Sequence, residues 1–241
     1  MGKGRAMVIL SGGFDSVALL HWARAEFEEV RAVSFDYGQP HLDAELSAAQ
    51  LIAEGMGLNA PNGRWERVKL TGLGPFDVTP GYAKPKVARA FVPLRNLVFA
   101  AYAGNRAALT WPGSSATILY GANVDDAAGF ADCRRGFIAQ ASEAIHQAVD
   151  GFTELTLRAP WVEMSWRKED ILRWAVDHGA LEDVRRSMSC YRGTRCRACD
   201  SCTRRQKAFE LLGLVDNVEQ GGPKMRGGDP AREHRRLDLA K

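Results

Sequence analysis

Residues 11–20 read SGGFDSVALL and follow directly on the apolar run MVIL at 7–10. Two adjacent glycines between serines, with Asp15 behind them, stand where a first strand would hand over to a first helix. Val17, Leu20, Trp22 and Ala23 continue at roughly helical spacing, so the stretch reads as strand, tight turn, helix. A helix that begins just after Gly13 points the positive end of its dipole and its unpaired N–H groups beyond the strand. Gly12 and Gly13 let the backbone approach an anion without a Cβ in the way, and the Ser11 and Ser16 hydroxyls can donate to phosphate oxygens. The stretch lacks the Lys and Ser/Thr pair of a Walker loop and the spaced glycines of a dinucleotide fingerprint. Asp15 would repel a bare phosphate, which points to a divalent cation or a helix-start role. The plainer alternative is a turn with Ser16 as cap.

Outward from this turn, strands and helices alternate. VRAVSFDYG (30–38) is a buried strand ending on Asp36 and Tyr37, and ELSAAQLIAEGMG (45–57) is a helix closed by Gly57. WERVKL (65–70) is a shorter third strand, and the Gly-, Pro- and Lys-rich 71–90 reads as a long binding loop. RNLVFAAYAGNRAAL is an amphipathic helix, TILYGAN (117–123) a strand, and ADCRRGFIAQASEAIHQAV a helix. LTLRAPW is a last strand, followed by WRKEDILRWAVDHG, a helix capped by Ser165 and closed by Gly179. This order predicts an α/β, doubly wound parallel sheet of Rossmann-like type, with ligands beyond the carboxyl ends of its strands. The expected division is a nucleotide-binding α/β domain over 1–185, a four-cysteine segment over 186–213 and a polar tail over 214–241.

The 241 residues carry 46% hydrophobic and 25% charged side chains, which excludes disorder of the whole chain. A net charge of +3 does not argue for nucleic acid, although Arg192, Arg195, Arg197, Arg204, Arg205 and Lys207 crowd one end, as a solvated face would. No leader pattern stands at Met1 and no apolar run nears the ~20 residues that span a bilayer, so the expectation is a cytoplasmic protein with no membrane contact. Cys133 stands alone, whereas Cys190, Cys196, Cys199 and Cys202 are spaced six, three and three apart. Two successive C-x-x-C steps and a fourth thiolate predict a closed, structural zinc site, with an iron–sulfur cluster as the alternative.

The turn resembles the pyrophosphate loop of the ATP pyrophosphatases, which cleave ATP between the α and β phosphates. Within that group, SFDYGQ (34–39) with His41, FVPLRN (91–96), GANVDDAAGFADCR (121–134) and SCYRGTRCRACDSC resemble the 7-cyano-7-deazaguanine synthases of the queuosine pathway, over about residues 8–212. The resemblance implies ATP with Mg²⁺ held by Leu10, Ser11, Gly12, Gly13, Phe14, Asp15, Ser16, Ser34, Phe35, Gly38 and Gln39. It also implies a deazaguanine carboxylate near Arg95, Asn96, Gly121, Asn123, Asp126, Phe130 and Asp132, ammonia as the amine, and a homodimer. Asp15, Ser16 and Arg95 are the candidates for the chemistry. The Arg95 guanidinium could grip a carboxylate or the α phosphate, and Asp126 and Asp132 could accept from a guanine-like edge, with helix caps as their alternative role. Cys133 falls in the D-C-R stretch and reads as a small buried residue beside the pocket. Asp15→Ala is expected to abolish AMP formation with the fold and metal intact.

The chain departs from the family's pattern at Pro40, Ala127, Ala128, Phe130 and Ala131, where Arg, an aromatic, Ser and Tyr-Pro are common. These positions keep open a paralogue that passes the adenylated carboxylate to another amine, on a protein for example, and stops at the amide. Transfer RNA thiolation would need a catalytic cysteine, and four of the five are taken by the metal reading. A zinc-ribbon nucleic-acid binder on an inactive nucleotide fold is the reading from a different class.

Overall fold

The computed structural model describes residues 4–58, 63–73 and 92–216. In chain order its elements are β1 (Arg5–Ile9), α1 (Phe14–Glu26), β2 (Glu29–Asp36), α2 (Leu42–Gly55), β3 (Trp65–Lys69), α3 (Arg95–Thr110), β4 (Ser115–Leu119) and α4 (Val124–Gly129). A 3₁₀ turn (Ala131–Cys133) then leads to α5 (Arg135–Ala148), β5 (Glu154–Arg158), α6 (Pro160–Glu163), α7 (Lys168–Asp177), α8 (Leu181–Arg186) and α9 (Asp200–Leu211). The sheet runs β3-β2-β1-β4-β5 and every pairing is parallel, with Val8 opposite Ala32 on one side and Leu119 on the other. The order reverses at β1, so a crevice opens between the carboxyl ends of β1 and β4, where ligands of such sheets bind.

Alternation along the strands builds two cores, as the doubly wound reading requires. Ala6 and Val8 of β1 face one core with Val17, Leu19 and Leu20 of α1, Ile52 of α2, Leu172 of α7, Val184 of α8 and Phe209 of α9. Met7 faces the other with Val33, Ile118 and Leu155, covered by Ala100, Ala103 and Ala107 of α3 and Ile138 and Ile145 of α5. Each large side chain buried this way contributes about 1.5–3 kcal/mol. The small face of α3 lets it lie close to the sheet: a Cβ on Gly104 would stand 3.2 Å from Ile118 Cδ1. Fully buried Trp161 on α6 stacks on Trp166 at 5.3 Å and meets Trp22 and Trp174 edge-on or tilted at 6.1 Å.

Several local expectations need correction. Helix α7 starts at Lys168, and Ser165 does not cap it; the Asp170 carboxylate accepts from the Arg167 N–H at 3.0 Å instead. Ser165 adopts φ 59° and its hydroxyl accepts from Arg135. The helix expected from Ala131 begins at Arg135, because Ala131–Cys133 forms the tighter turn. Strand β5 stops at Arg158 ahead of Pro160, which opens α6. The loop expected at 71–90 lies outside the described residues beyond position 73. The four-cysteine segment shares the first core through Ala208 and Phe209. Leu214 and Asp216, assigned to the tail, are held to the fold: the Leu214 N–H donates to Phe209 O at 2.9 Å, and Asp216 pairs with Arg205 and Arg195. Residues 217–241 lie outside the described chain.

Candidate active site and cysteine cluster

The turn is a closed hydrogen-bonded knot. The Ser11 N–H donates to Ser16 Oγ (3.2 Å), the Gly13 N–H to Ser11 Oγ (3.2 Å), and Ser16 Oγ to Gly13 O (3.0 Å). Gly12 takes φ 81°, and a Cβ there would lie 2.2 Å from the Glu45 carbonyl of α2. Its lack of a side chain therefore serves a left-handed bend and the approach of α2 as well as any ligand. Ser11 is exposed at the mouth of the turn, and Ser16 is buried.

Around the turn, the structure separates backbone roles from side-chain roles. Leu10, Phe14 and Ser34 are buried as whole residues. The Ser34 hydroxyl donates to Leu10 O (2.6 Å) and accepts from Trp65 Nε1 (2.9 Å). Phe35 stacks on Phe99 at 4.2 Å in the second core. Gly38 is exposed with φ 80°, its N–H on Asp36 Oδ1. Arg67 bonds Asp36 at 2.8 Å and holds that carboxyl below its usual range. Gln39 is buried: its amide donates to Phe35 O and Glu45 and accepts from the Tyr37 N–H. Glu45 also meets His41 Nε2 at 3.2 Å.

Asp15 points along the crevice and meets two side chains. Its Oδ1 accepts from Asn123 Nδ2 at 3.0 Å, and its Oδ2 pairs with the buried Lys168 ammonium. Trp161 Nε1 donates to the Asp15 carbonyl at 3.1 Å. Gly121 packs behind this turn, where a Cβ would stand 3.0 Å from Asp15 C and Ser16 N. Asn123 is fully buried and caps α4, accepting from the Asp125 and Asp126 N–H groups at 2.9 and 3.2 Å. Asp126 lies 3.6 Å from Arg204. Burial pushes its carboxyl up to about 6, against the pull of Lys168 and with the Asp15 charge adding to the rise.

A second group gathers at the start of α3. Arg95 NH1 donates to Tyr37 Oη at 3.2 Å, and its Nε to Asn96 Oδ1 at 3.4 Å. The residue before it, Leu94, is left-handed at φ 62°. Asp132 is buried and, among the described residues, its Oδ1 has no hydrogen-bond partner; burial raises its carboxyl, opposed by Arg95. Its carbonyl accepts from Tyr120 Oη at 2.7 Å, and α5 is flanked by Arg134 with no side-chain cap, so Asp132 does not cap that helix. Cys133 is buried beside it, with Asn96 Nδ2 at 3.9 Å from its Sγ, and burial pushes its thiol up. Phe130 is half-buried and packs on the second core. Tyr191, unforeseen in the sequence, meets the His41 ring at 6.0 Å, and burial together with the Asp126 charge pushes its hydroxyl up to about 12.

The ligand atoms of Cys190, Cys196, Cys199 and Cys202 all lie within 4.8 Å of one another, with Cys196 Sγ 4.0 Å from Cys202 Sγ. Zinc–sulfur bonds of about 2.3 Å in a tetrahedron set sulfurs roughly 3.8 Å apart, so the donor set fits such an ion. Backbone N–H groups of Arg192 and Cys196 point at Cys190 Sγ, and that of Cys199 at Cys196 Sγ, each at 3.4 Å. Such donors favour thiolate: the Ala198 and Cys199 amides pull the Cys196 thiol down to about 6. The basic residues nearby are not a solvated face throughout. Arg205 is buried and bonds the carbonyls of Val184, Arg185 and Ser187 and the Asp216 carboxylate, Arg195 pairs with Asp216, and Arg204 donates to Asp125 O.

The family described as "Queuosine biosynthesis protein QueC" matches residues 5–213. Similar proteins include the 7-cyano-7-deazaguanine synthase of Psychrobacter cryohalolentis, 35% identical over 88% of this chain and 87% of its own. That of Acinetobacter baylyi is 35% identical over 89% and 94%, and that of Syntrophus aciditrophicus 34% over 89% and 96%. A solved U34-tRNA thiolase NcsA from Methanococcus maripaludis, described with its [4Fe-4S] cluster, aligns at TM-score 0.42 and 12% identity over 95% of this chain and 77% of that one.

Proposed function

The chain belongs to the QueC family of queuosine biosynthesis proteins, and from that premise we propose that it converts 7-carboxy-7-deazaguanine and ammonia to 7-cyano-7-deazaguanine at the expense of ATP. A carboxylate is a poor electrophile because its oxygen leaves badly. In this reading a carboxylate oxygen attacks the α phosphate, pyrophosphate departs, and ammonia displaces AMP to leave an amide. The amide oxygen then attacks the α phosphate of a second ATP, pyrophosphate and one N–H proton depart, and loss of AMP with the remaining N–H proton gives the nitrile. What supports the reading most is that Asp15 of the turn meets Asn123 just beyond β4, with Asp126 within reach of the Asp15 charge and Asp132 within reach of Arg95. The alternative of an amide delivered to another amine has no support from relatives that carry the synthase name. The internal partners of Arg195, Arg204 and Arg205 weigh against the nucleic-acid reading.

The turn's amides and the exposed Ser11 would cradle the departing pyrophosphate. Arg95, whose guanidinium lies against the Tyr37 hydroxyl, would hold the carboxylate or the α phosphate. The unfilled Asp132 oxygen suits the amino and ring N–H edge of a deazaguanine, where each bond left unmade costs discrimination. Asp15 is already held by Lys168 and Asn123, so Mg²⁺ would arrive chiefly on the triphosphate, where it spreads the negative charge of the leaving group. Zinc at the four cysteines would have no open position and would serve the fold; a colourless metal-loaded protein separates it from iron–sulfur. Ammonia as the amine, a homodimer and a cytoplasmic setting complete the proposal. Mass spectrometry of the product, with ATP, 7-carboxy-7-deazaguanine and ammonia as the only amine, should show the nitrile; accumulation of amide as the end product would refute the reading.

A further inference from the structure

The strand of chain that leads into the cysteine cluster is laid across the turn. Ser189 Oγ accepts the N–H of Phe14, the first residue of α1, at 3.1 Å, and the Met188 N–H donates to Gly12 O at 2.8 Å. A Cβ on Gly13 would come within 3.7 Å of Met188 O, so the two backbones run side by side. One residue further on, Cys190 is buried and its sulfur accepts from the Arg192 and Cys196 amides. On the other side, buried Ser187 is gripped by Arg205 at both its carbonyl (3.1 Å) and its hydroxyl (2.7 Å), while the Arg205 guanidinium sits 5.7 Å over the Phe14 ring. Residues 187–190 therefore have no slack: every step is bonded to the turn, to α9 or to the cysteine cluster.

We propose that Ser189 is a positioning residue that couples metal occupancy of the four cysteines to triphosphate binding at the 11–16 turn. The inference rests on reading that turn as the triphosphate cradle. With the metal in place Cys190 is fixed, Ser189 is fixed one residue away, and the first turn of α1 is held with its remaining amides aimed at the ligand. Without the metal the clasp loosens, and the ordering it supplied must come from ATP itself. Linkage makes the effect reciprocal, so bound ATP tightens the hold on the metal by the same factor.

The test uses the full-length metal-loaded protein, Ser189→Ala and Ser189→Thr. Affinity for Mg²⁺-ATP is measured by calorimetry without the acid substrate, and metal release to a colorimetric chelator is timed with and without Mg²⁺-ATP. Loss of one neutral hydrogen bond predicts ATP binding about five-fold weaker in Ser189→Ala, near wild-type binding in Ser189→Thr, and an unchanged KM for the deazaguanine acid. ATP should slow metal release in the wild type and in Ser189→Thr, and not in Ser189→Ala. Wild-type ATP affinity in Ser189→Ala, or equal protection of its metal by ATP, overturns the coupling. If Ser189→Ala does not fold, the wild type decides: metal release indifferent to ATP overturns the coupling as well. A wild type that binds no ATP removes the cradle reading and this inference together, whereas binding without coupling removes this inference alone.

Discussion

Asp15 and Lys168 stand 153 positions apart in the chain and meet as a pair in which the lysine is buried and the aspartate half-buried. Removing one partner of such a pair leaves an uncompensated charge inside the protein, at a cost of about 3–5 kcal/mol. Asp15→Ala should therefore lower the unfolding free energy by about that much in urea titrations, contrary to the expectation that the fold would be untouched. The double variant Asp15→Ala with Lys168→Met should recover most of the loss while AMP formation stays abolished. Lys168 was not singled out in the sequence: that it stands at the first position of α7, where the helix dipole disfavours a cation, emerges only once the true start of that helix is known. Nothing local could name Asp15 as its anion, nor mark Ser189 as the acceptor for Phe14, since both partners are set by tertiary packing.

Among the elements, α9 does more than carry cysteines. Cys202, Arg205, Ala208 and Phe209 form its buried stripe, so the Arg205 guanidinium enters the protein and closes the C-terminal carbonyls of α8. Arg205→Ala removes one donor from each of those carbonyls and one of the two cations on Asp216, leaving Arg195 in place, which predicts a loss of about 1.5–3 kcal/mol by denaturant unfolding. Arg205→Lys should restore little, because an ammonium cannot span the fan of acceptors that the planar guanidinium reaches. The i, i+3, i+7 spacing of Cys202, Arg205 and Phe209 was visible in the sequence, yet the surrounding arginines disguised it as a solvated face. The ends of α2 and α7 were easier: Gly57 and Gly179 take φ 72° after their helices, as glycine closure requires. The start of α7 was missed because Ser165 offers the right side chain at a bend rather than at the helix's first amide.

At the scale of the whole molecule, alternating strands and helices were enough to forecast a parallel sheet with both faces covered. They could not forecast how Arg95, Asp132, Asp126 and Tyr191 come to one mouth, which depends on β4 lying beside β1 and on the cysteine segment folding back over the sheet. That folding back also governs stability. Phe209 and Ala208 share a core with Phe14 and Val8, so metal binding supports the entire first core and not one end of the chain. Chelation of the metal should lower Tm in a single cooperative calorimetric transition, with no separate early melting of the C-terminal segment.

The stack of Trp161 on Trp166, with Trp22 and Trp174 around it, has an optical consequence. The indole N–H of Trp161 is hydrogen-bonded to the carbonyl of Asp15, so a fully buried ring is tied directly to the first turn of α1. Intrinsic fluorescence of the unlabelled chain should therefore change when Mg²⁺-ATP is added, if the turn is the triphosphate cradle proposed above; stopped-flow mixing would read it in real time.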